Sequence, residues 1–408
     1  MTQPQGIAIA ALNSVLQFQT QDTQRFAQVK HFIQATLADV IMAGALTEKN
    51  SGPTFFCSFS FQNKPSNLRP PDFSGATVFL PEWQVSNQNR AGLATHNLII
   101  DRQTSLEKTA EKIWQMLHQI QTIQPSFTPA SAQYSEQWQH QEVATTETFK
   151  RSVRSALQSI QAQQFNKIVL AHAVDVVSAN PFHPVACLNN LRQLYPNCYL
   201  FAVHNGMGQA FLGASPERLV WVQNRQLITD ALAGSAPRGQ TLREDALLAT
   251  ALLNSEKDNY EHQVVVDFIT QKLTALGLTP QLSPLKLLQL SNIQHLHTPI
   301  QATLPASVHL LDVLAELHPT PAVAGLPRDV ACAEIDRQEP FERSLYAAPI
   351  GWVNHRGEGE FAVGIRSALI DGCRARLFAG AGIVAGSDPE RELAEVQLKL
   401  QALLAALR

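Results

Sequence analysis

Apolar residues recur along this chain with two periods. Near the C-terminus Leu393, Val396, Leu400, Leu403, Leu404 and Leu407 step by three and four, the stripe of a helix that faces a core. Asp388 is placed to cap that helix, Pro389 suits its first turn, and Glu390 meets the positive end of its dipole. Glu392, Glu395 and Lys399 step the same way on a second face beside the stripe. Helical patterns also start near Thr104 and cover 148–163, 184–195, 242–253, 258–276 and 310–316. Strand patterns fall at 55–61, 76–81 and 98–101, then at 167–177, a long β-branched run. Residues 198–203, 210–213 and 218–222 read as a meander, 294–304 as a further strand, and 361–370 with 373–380 as a strand pair. The Gln/Ser/Thr-rich stretch 119–147 reads as a loop or linker.

Meanders mixed with helices argue for an α+β fold over a doubly wound sheet. Residues 145–408 read as one unit, and 1–140 as a variable part packed on the same core. With 408 residues, 45% hydrophobic and 16% charged, the chain can bury a large core. A net charge of -3 argues against a nucleic-acid binder that relies on a basic patch. No run of eighteen apolar residues offers a membrane span, and the first residues lack the positive region of a secretory signal. Cys57, Cys187, Cys198, Cys332 and Cys373 are scattered without a C-x-x-C, which suits a reducing cytoplasm.

Several residues stand out chemically. Lys167 opens an apolar strand; in a closed pocket such a lysine becomes a base, and in an open one it only reaches solvent. Glu217 sits in Gly-Ala-Ser-Pro-Glu-Arg-Leu, a small-residue turn, where partial burial would make a general acid. Residues 231–239, Ala-Leu-Ala-Gly-Ser-Ala-Pro-Arg-Gly, read as a turn able to bind an anion or as an ordinary one. Asp258 and Glu261 share a helix face, where they serve the helix dipole or hold a hard cation. His295 and His297 share a strand face without a third zinc ligand, so a hydrogen-bonding role for His295 is favoured. Arg366 interrupts an apolar strand, which suits a planar anion or an internal salt bridge. Gly380-Ala-Gly382 is too short for a nucleotide fingerprint. Together the inventory suits a small polyanion with Mg²⁺.

In order, these segments resemble the chorismate-utilising enzymes, a family of isochorismate, salicylate, anthranilate and aminodeoxychorismate synthases. The resemblance rests on Lys167-Ile-Val-Leu-Ala, Ser215-Pro-Glu217, Leu232-Ala-Gly-Ser-Ala-Pro-Arg-Gly239, Lys257-Asp-x-x-Glu-His262, His318-Pro-Thr-Pro-Ala322, Tyr346 through Trp352, Gly364-Ile-Arg366, 379–384 and Glu395-x-x-x-Lys399. It implies a large antiparallel or mixed β-sandwich core surrounded by helices. Lys167 matches the lysine base of isochorismate and salicylate synthases. Ala233 stands where aminodeoxychorismate synthases carry a nucleophilic lysine.

The resemblance therefore implies an isochorismate synthase, with salicylate synthase next. An amine-transferring component or a non-catalytic chorismate-binding module is more remote. The implied roles are Lys167 as base, Glu217 as acid, and Glu261 and Glu395 as Mg²⁺ ligands. Gly234, Ser235, His295, Ala322, Arg366, Gly380 and Lys399 are the implied substrate contacts. His172, Ala236, Ala324 and Ala348 depart from the family's common residues and bear on pocket shape. The implied setting is the cytoplasm, in quinone (menaquinone or phylloquinone) or siderophore synthesis with the quinone route preferred on the Phe-rich strand 55–61, and with a downstream enzyme drawing off isochorismate.

Overall fold

The computed structural model describes residues 7–48, 50–62, 73–88, 91–122 and 138–407. Its long β-branched run is the strand Lys167–Val177, buried on both faces. It lies antiparallel to Arg374–Val384 over its full length, with Lys167 opposite Val384 and Val177 opposite Arg374. These two strands centre a seven-stranded sheet in the order Gly325–Leu326, Lys167–Val177, Arg374–Val384, Ser367–Asp371, Gln209–Ser215, Tyr199–His204, with Gln139–Glu142 also on Lys167–Val177. A ten-stranded sheet runs Gln281–Leu282, Ile293–Thr303, Gln226–Pro237, Arg218–Gln223, Gly359–Val363, Pro349–Asn354, Thr54–Phe59, Ala76–Leu80, Leu16–Thr20, with Lys286–Gln289 beside Ile293–Thr303. Ala8–Leu12, Trp83–Gln88 and Ala91–His96 form a small third sheet. Every pairing among the described residues is antiparallel. The fold is α+β, and one apolar cluster draws on both large sheets.

The structure corrects three strand readings and one turn. Residues 198–222 are not one meander: Tyr199–His204 and Gln209–Ser215 belong to the seven-stranded sheet, and Arg218–Gln223 to the ten-stranded one. Residues 361–370 are likewise two strands, Gly359–Val363 and Ser367–Asp371, one in each sheet. The two crossings are hydrogen-bonded to each other, from Ala214 N to Arg366 O at 3.1 Å and from Val363 N to Glu217 O at 3.1 Å. A two-stranded ribbon therefore passes as a unit from sheet to sheet, with Glu217 and Arg366 at its bend. Residues 231–239 are no turn either, since Gln226–Pro237 is a strand. Leu98, Ile99 and Ile100 lie exposed beyond Ala91–His96 without strand structure. A short apolar run carries no sign of whether a partner edge exists.

Helices follow their caps. Ser255 Oγ accepts from Asp258 N at 3.2 Å at the head of Glu256–Ala275. Asp388 Oδ1 accepts from Glu390 N and Arg391 N at 3.1 and 3.0 Å at the head of Pro389–Leu407. The terminal helix buries Leu393, Val396, Leu400, Leu403 and Leu407 against Arg374–Val384 and the helices Thr146–Gln161 and Pro184–Leu194. Leu106–Thr122 extends into the expected linker, Gln139–Glu142 is a strand there, and 123–137 lies outside the described residues. The helix Arg328–Gln338 was not expected, because its buried positions include Glu334 and give no apolar stripe.

Candidate active site

The ribbon's bend opens onto a cleft of about 710 Å³, mouth included, within the size range of small-molecule sites. Glu217, Gly234, Ser235, His295 and Ala322 line it, as do Arg366, Gly380, Lys399, Glu261 and Glu395. Those ten residues come from several strands, helices and crossings far apart in the chain, so the fold brings them together. Lys167 is placed differently. It is fully buried behind the lining, with Nζ 3.0 Å from Glu261 Oε1. That contact lacks hydrogen-bond alignment, so Nζ has no hydrogen-bond partner.

Glu217 is buried at the crossing and lines the cleft. Burial pushes its carboxyl up to about 8; Asp230 adds to the rise, while Lys167 and Lys399 oppose it. At neutral pH this group therefore carries a proton it can donate.

On Gln226–Pro237 the register with Ile293–Thr303 slips between Ala233 and Ser235, so Gly234 is the extra residue of a bulge. Gly234 has φ +76°, which glycine adopts without cost. The slip sets Ser235 opposite His295, whose Nδ1 lies 3.1 Å from Ser235 Oγ. Arg366 Nη2 donates to His295 Nε2 at 2.7 Å. An Nε2 that accepts leaves the proton on Nδ1, which then donates to Ser235. Burial, then the Arg366 charge, holds His295 well below the ordinary imidazole range, in keeping with a neutral ring.

Arg366 is itself buried at φ +49°, and burial lowers its guanidinium from its usual value. Its Nη1 is buried without a hydrogen-bond partner. A guanidinium edge left open beside a cleft suits a ligand carboxylate.

Lys399 Nζ donates to Gly380 O at 2.8 Å and Glu395 Oε1 at 2.7 Å. Gly380 thus meets Lys399 through its carbonyl. Glu392, the third member of that face, is buried and bonded to Lys257 at 2.7 Å. Gly382 makes room for Glu261, because a Cβ there would lie 2.1 Å from Glu261 Oε1. Asp258, by contrast, is taken up in capping, 2.5 Å from Ser255 Oγ.

Among the described residues no three His, Cys, Asp or Glu side chains converge on one point. His297 is bonded to Asp230 at 2.9 Å, away from any zinc arrangement. Tyr346 also lines the cleft, with Oη 3.0 Å from where a Gly380 Cβ would stand. Sequence reasoning gave it no site role, because only the fold sets it beside Gly380.

The family described as chorismate binding enzyme matches residues 1–408, and this chain belongs to it. The salicylate biosynthesis isochorismate synthase of Pseudomonas aeruginosa is 35% identical, over 98% of this chain and 83% of that protein. The isochorismate synthase MenF of Escherichia coli is 35% identical over 83% of this chain and 76% of its own length. Its solved structure, titled as the menaquinone-specific enzyme, has a TM-score of 0.79 and covers 100% of this chain and 87% of that one at 28% identity. A 2,3-dihydroxybenzoate-specific isochorismate synthase structure from Bacillus anthracis, titled putative, has a TM-score of 0.78 and covers 100% of this chain and 95% of that one at 26% identity.

Proposed function

We propose that the protein is an isochorismate synthase, moving a hydroxyl from C4 of chorismate to C2 as the ring double bonds shift. The observation that carries this reading is Glu217, a carboxyl kept protonated near neutrality where it lines the cleft. It donates its proton to the departing C4 hydroxyl. Lys167, as the neutral amine, takes a proton from the water that attacks C2 and returns it to solvent after turnover, while Glu217 is reprotonated. Because its Nζ rests 3.0 Å from Glu261 Oε1, turnover requires those two groups to separate. Arg366 Nη1 receives a substrate carboxylate while His295 holds the other edge of the guanidinium. Gly234 and Ser235 line the ring, Lys399 assists at the carboxylate end, and Ala322 contributes wall surface.

The donor set fits Mg²⁺. Glu261 and Glu395 offer hard oxygens on one cleft, and the space left at Gly382 keeps the Glu261 carboxylate in place. One or two carboxylates plus substrate and waters are the usual protein share of a magnesium shell. When bound, the cation supplies positive charge that offsets the substrate's carboxylates. Among the described residues no helix is long and apolar enough to cross a membrane. We assign the product to quinone synthesis, with a downstream isochorismate-using enzyme as functional partner.

Purified protein given chorismate and Mg²⁺ should yield isochorismate, read by chromatography. Salicylate and pyruvate as main products would replace this reading with salicylate synthase. No turnover of chorismate would reject both.

A further inference from the structure

Behind the cleft lies a buried ion pair that the reaction scheme does not use. Arg343 and Glu339 are both almost wholly enclosed. Arg343 donates through Nε to Glu339 Oε2 at 2.8 Å and through Nη2 to Oε1 at 2.5 Å. The same guanidinium donates to Val323 O through Nη1 and to Val169 O through Nη2, both at 2.8 Å. Glu339 Oε1 in turn accepts from Ala171 N at 2.7 Å. The Arg343 guanidinium carbon lies over two rings, 4.4 Å from the Phe61 centroid and 5.7 Å from that of Tyr346.

Apart from Phe61, the partners outside the pair belong to three separate segments, and each of those lends a residue to the cleft wall: Val169, Val323 and Tyr346. Val169 stands two residues from Lys167 on its strand, and Val323 follows Ala322. Resting on the reaction assigned above, we propose that Arg343, with Glu339, is a positioning residue: it sets the Lys167 strand, the Ala322 loop and Tyr346 at fixed spacing around the substrate. A lysine cannot take its place, because one ammonium cannot reach a carboxylate and two carbonyls in the plane that the guanidinium spans. Enclosure sharpens the requirement, since each carbonyl left unmet inside the protein is costly.

Arg343→Lys and Glu339→Gln test this beside Val29→Ala, a buried change in the helix Arg25–Ala38 chosen to lower thermal stability away from the cleft. Turnover is measured where circular dichroism shows each variant folded. Misplacement of reacting groups by about 1 Å costs roughly 10²-fold, so kcat for chorismate should fall by about that factor in Arg343→Lys. KM should stay within a small factor and the pH limbs should stay in place. Hydrogen exchange should rise at 168–171 and 322–324 in both cleft variants and not in Val29→Ala. Parental kcat in the folded Arg343→Lys protein, or an equal loss in Val29→Ala at matched stability, would overturn the positioning role. An inactive parent would instead overturn the assigned reaction, and this role with it.

Discussion

At the scale of single residues, the chemistry turns on one carboxyl out of its usual range. Glu217 titrates near 8 rather than at its ordinary 4.5 because burial disfavours the anion, with Asp230 adding to the effect. The acid form is present below about 8 and is lost above it, so kcat/KM should decline as pH rises through that value. Removing the carboxyl in Glu217→Gln should lower kcat by roughly 10²–10⁴-fold. The same substitution should stabilise the protein. Between 4.5 and 8 the folded state holds a proton that the unfolded state has released, so stability drains away as pH rises through that window. Glutamine escapes the cost, up to about 3 kcal/mol at pH 7. Thermal melts at pH 5 and pH 8 check this: the variant's advantage should grow with pH. An advantage that is flat across pH would mean the Glu217 carboxyl is ionised in the folded protein.

At the scale of elements, function depends on helices and strands that place small residues opposite large ones. Gly382 on Arg374–Val384 faces Glu261 on Glu256–Ala275, and the 2.1 Å that a Cβ would leave is impossible. Gly382→Ala should drive the Glu261 carboxylate from its place, raising the Mg²⁺ needed for half-maximal activity by about tenfold or more, the equivalent of one charge-assisted contact. Calorimetric Mg²⁺ titration checks it, and an unchanged affinity would remove Glu261 from the cation's shell. Much of this level was legible in advance. The terminal helix announced its cap in Asp388 and its buried stripe, and Ser235 and Glu261 stood in specific family motifs, whereas His295 was marked only by its place on a strand face. The bulge at Gly234 was not legible, since a strand with one extra residue shows the same Gly-Ser-Ala-Pro composition as a turn. Lys167 was recognised, but its ion pair with Glu261 joins residues 94 positions apart, and periodicity carries no information across such a separation. Arg343 and Glu339 escaped notice for the same reason: their partners Val169 and Val323 take part through backbone carbonyls, which any residue would supply.

At the scale of the whole molecule, the site exists because a paired ribbon changes sheets. Gln209–Ser215 pairs with Ser367–Asp371 in the seven-stranded sheet, and Arg218–Gln223 with Gly359–Val363 in the ten-stranded one. Pattern reading runs straight through the bend at 364–366, because apolar residues continue on either side of it, and at 214–217 it shows a turn without showing that the chain changes sheets there. The acid and the guanidinium sit there together, so the spacing between Glu217 and Arg366 is set by how tightly the ribbon closes. Gly213 sits where the ribbon's two strands approach closely. A Cβ there would lie 2.6 Å from Phe201 Cζ, 2.7 Å from Arg366 O and 2.9 Å from Ser367 Cβ. Gly213→Ala should therefore force the ribbon apart at a cost of about 1–3 kcal/mol, the usual range for overpacking. Because one of the displaced atoms is the Arg366 carbonyl, the open guanidinium edge should move with it, and KM for chorismate should rise more than the Mg²⁺ requirement does. Gly92→Ala, which meets nothing within 4 Å, is the matched control and should leave stability and KM alone. If Gly213→Ala melts and binds like the parent, the bend is loose, and the joint placement of Glu217 and Arg366 must come from their separate surroundings instead of from the ribbon.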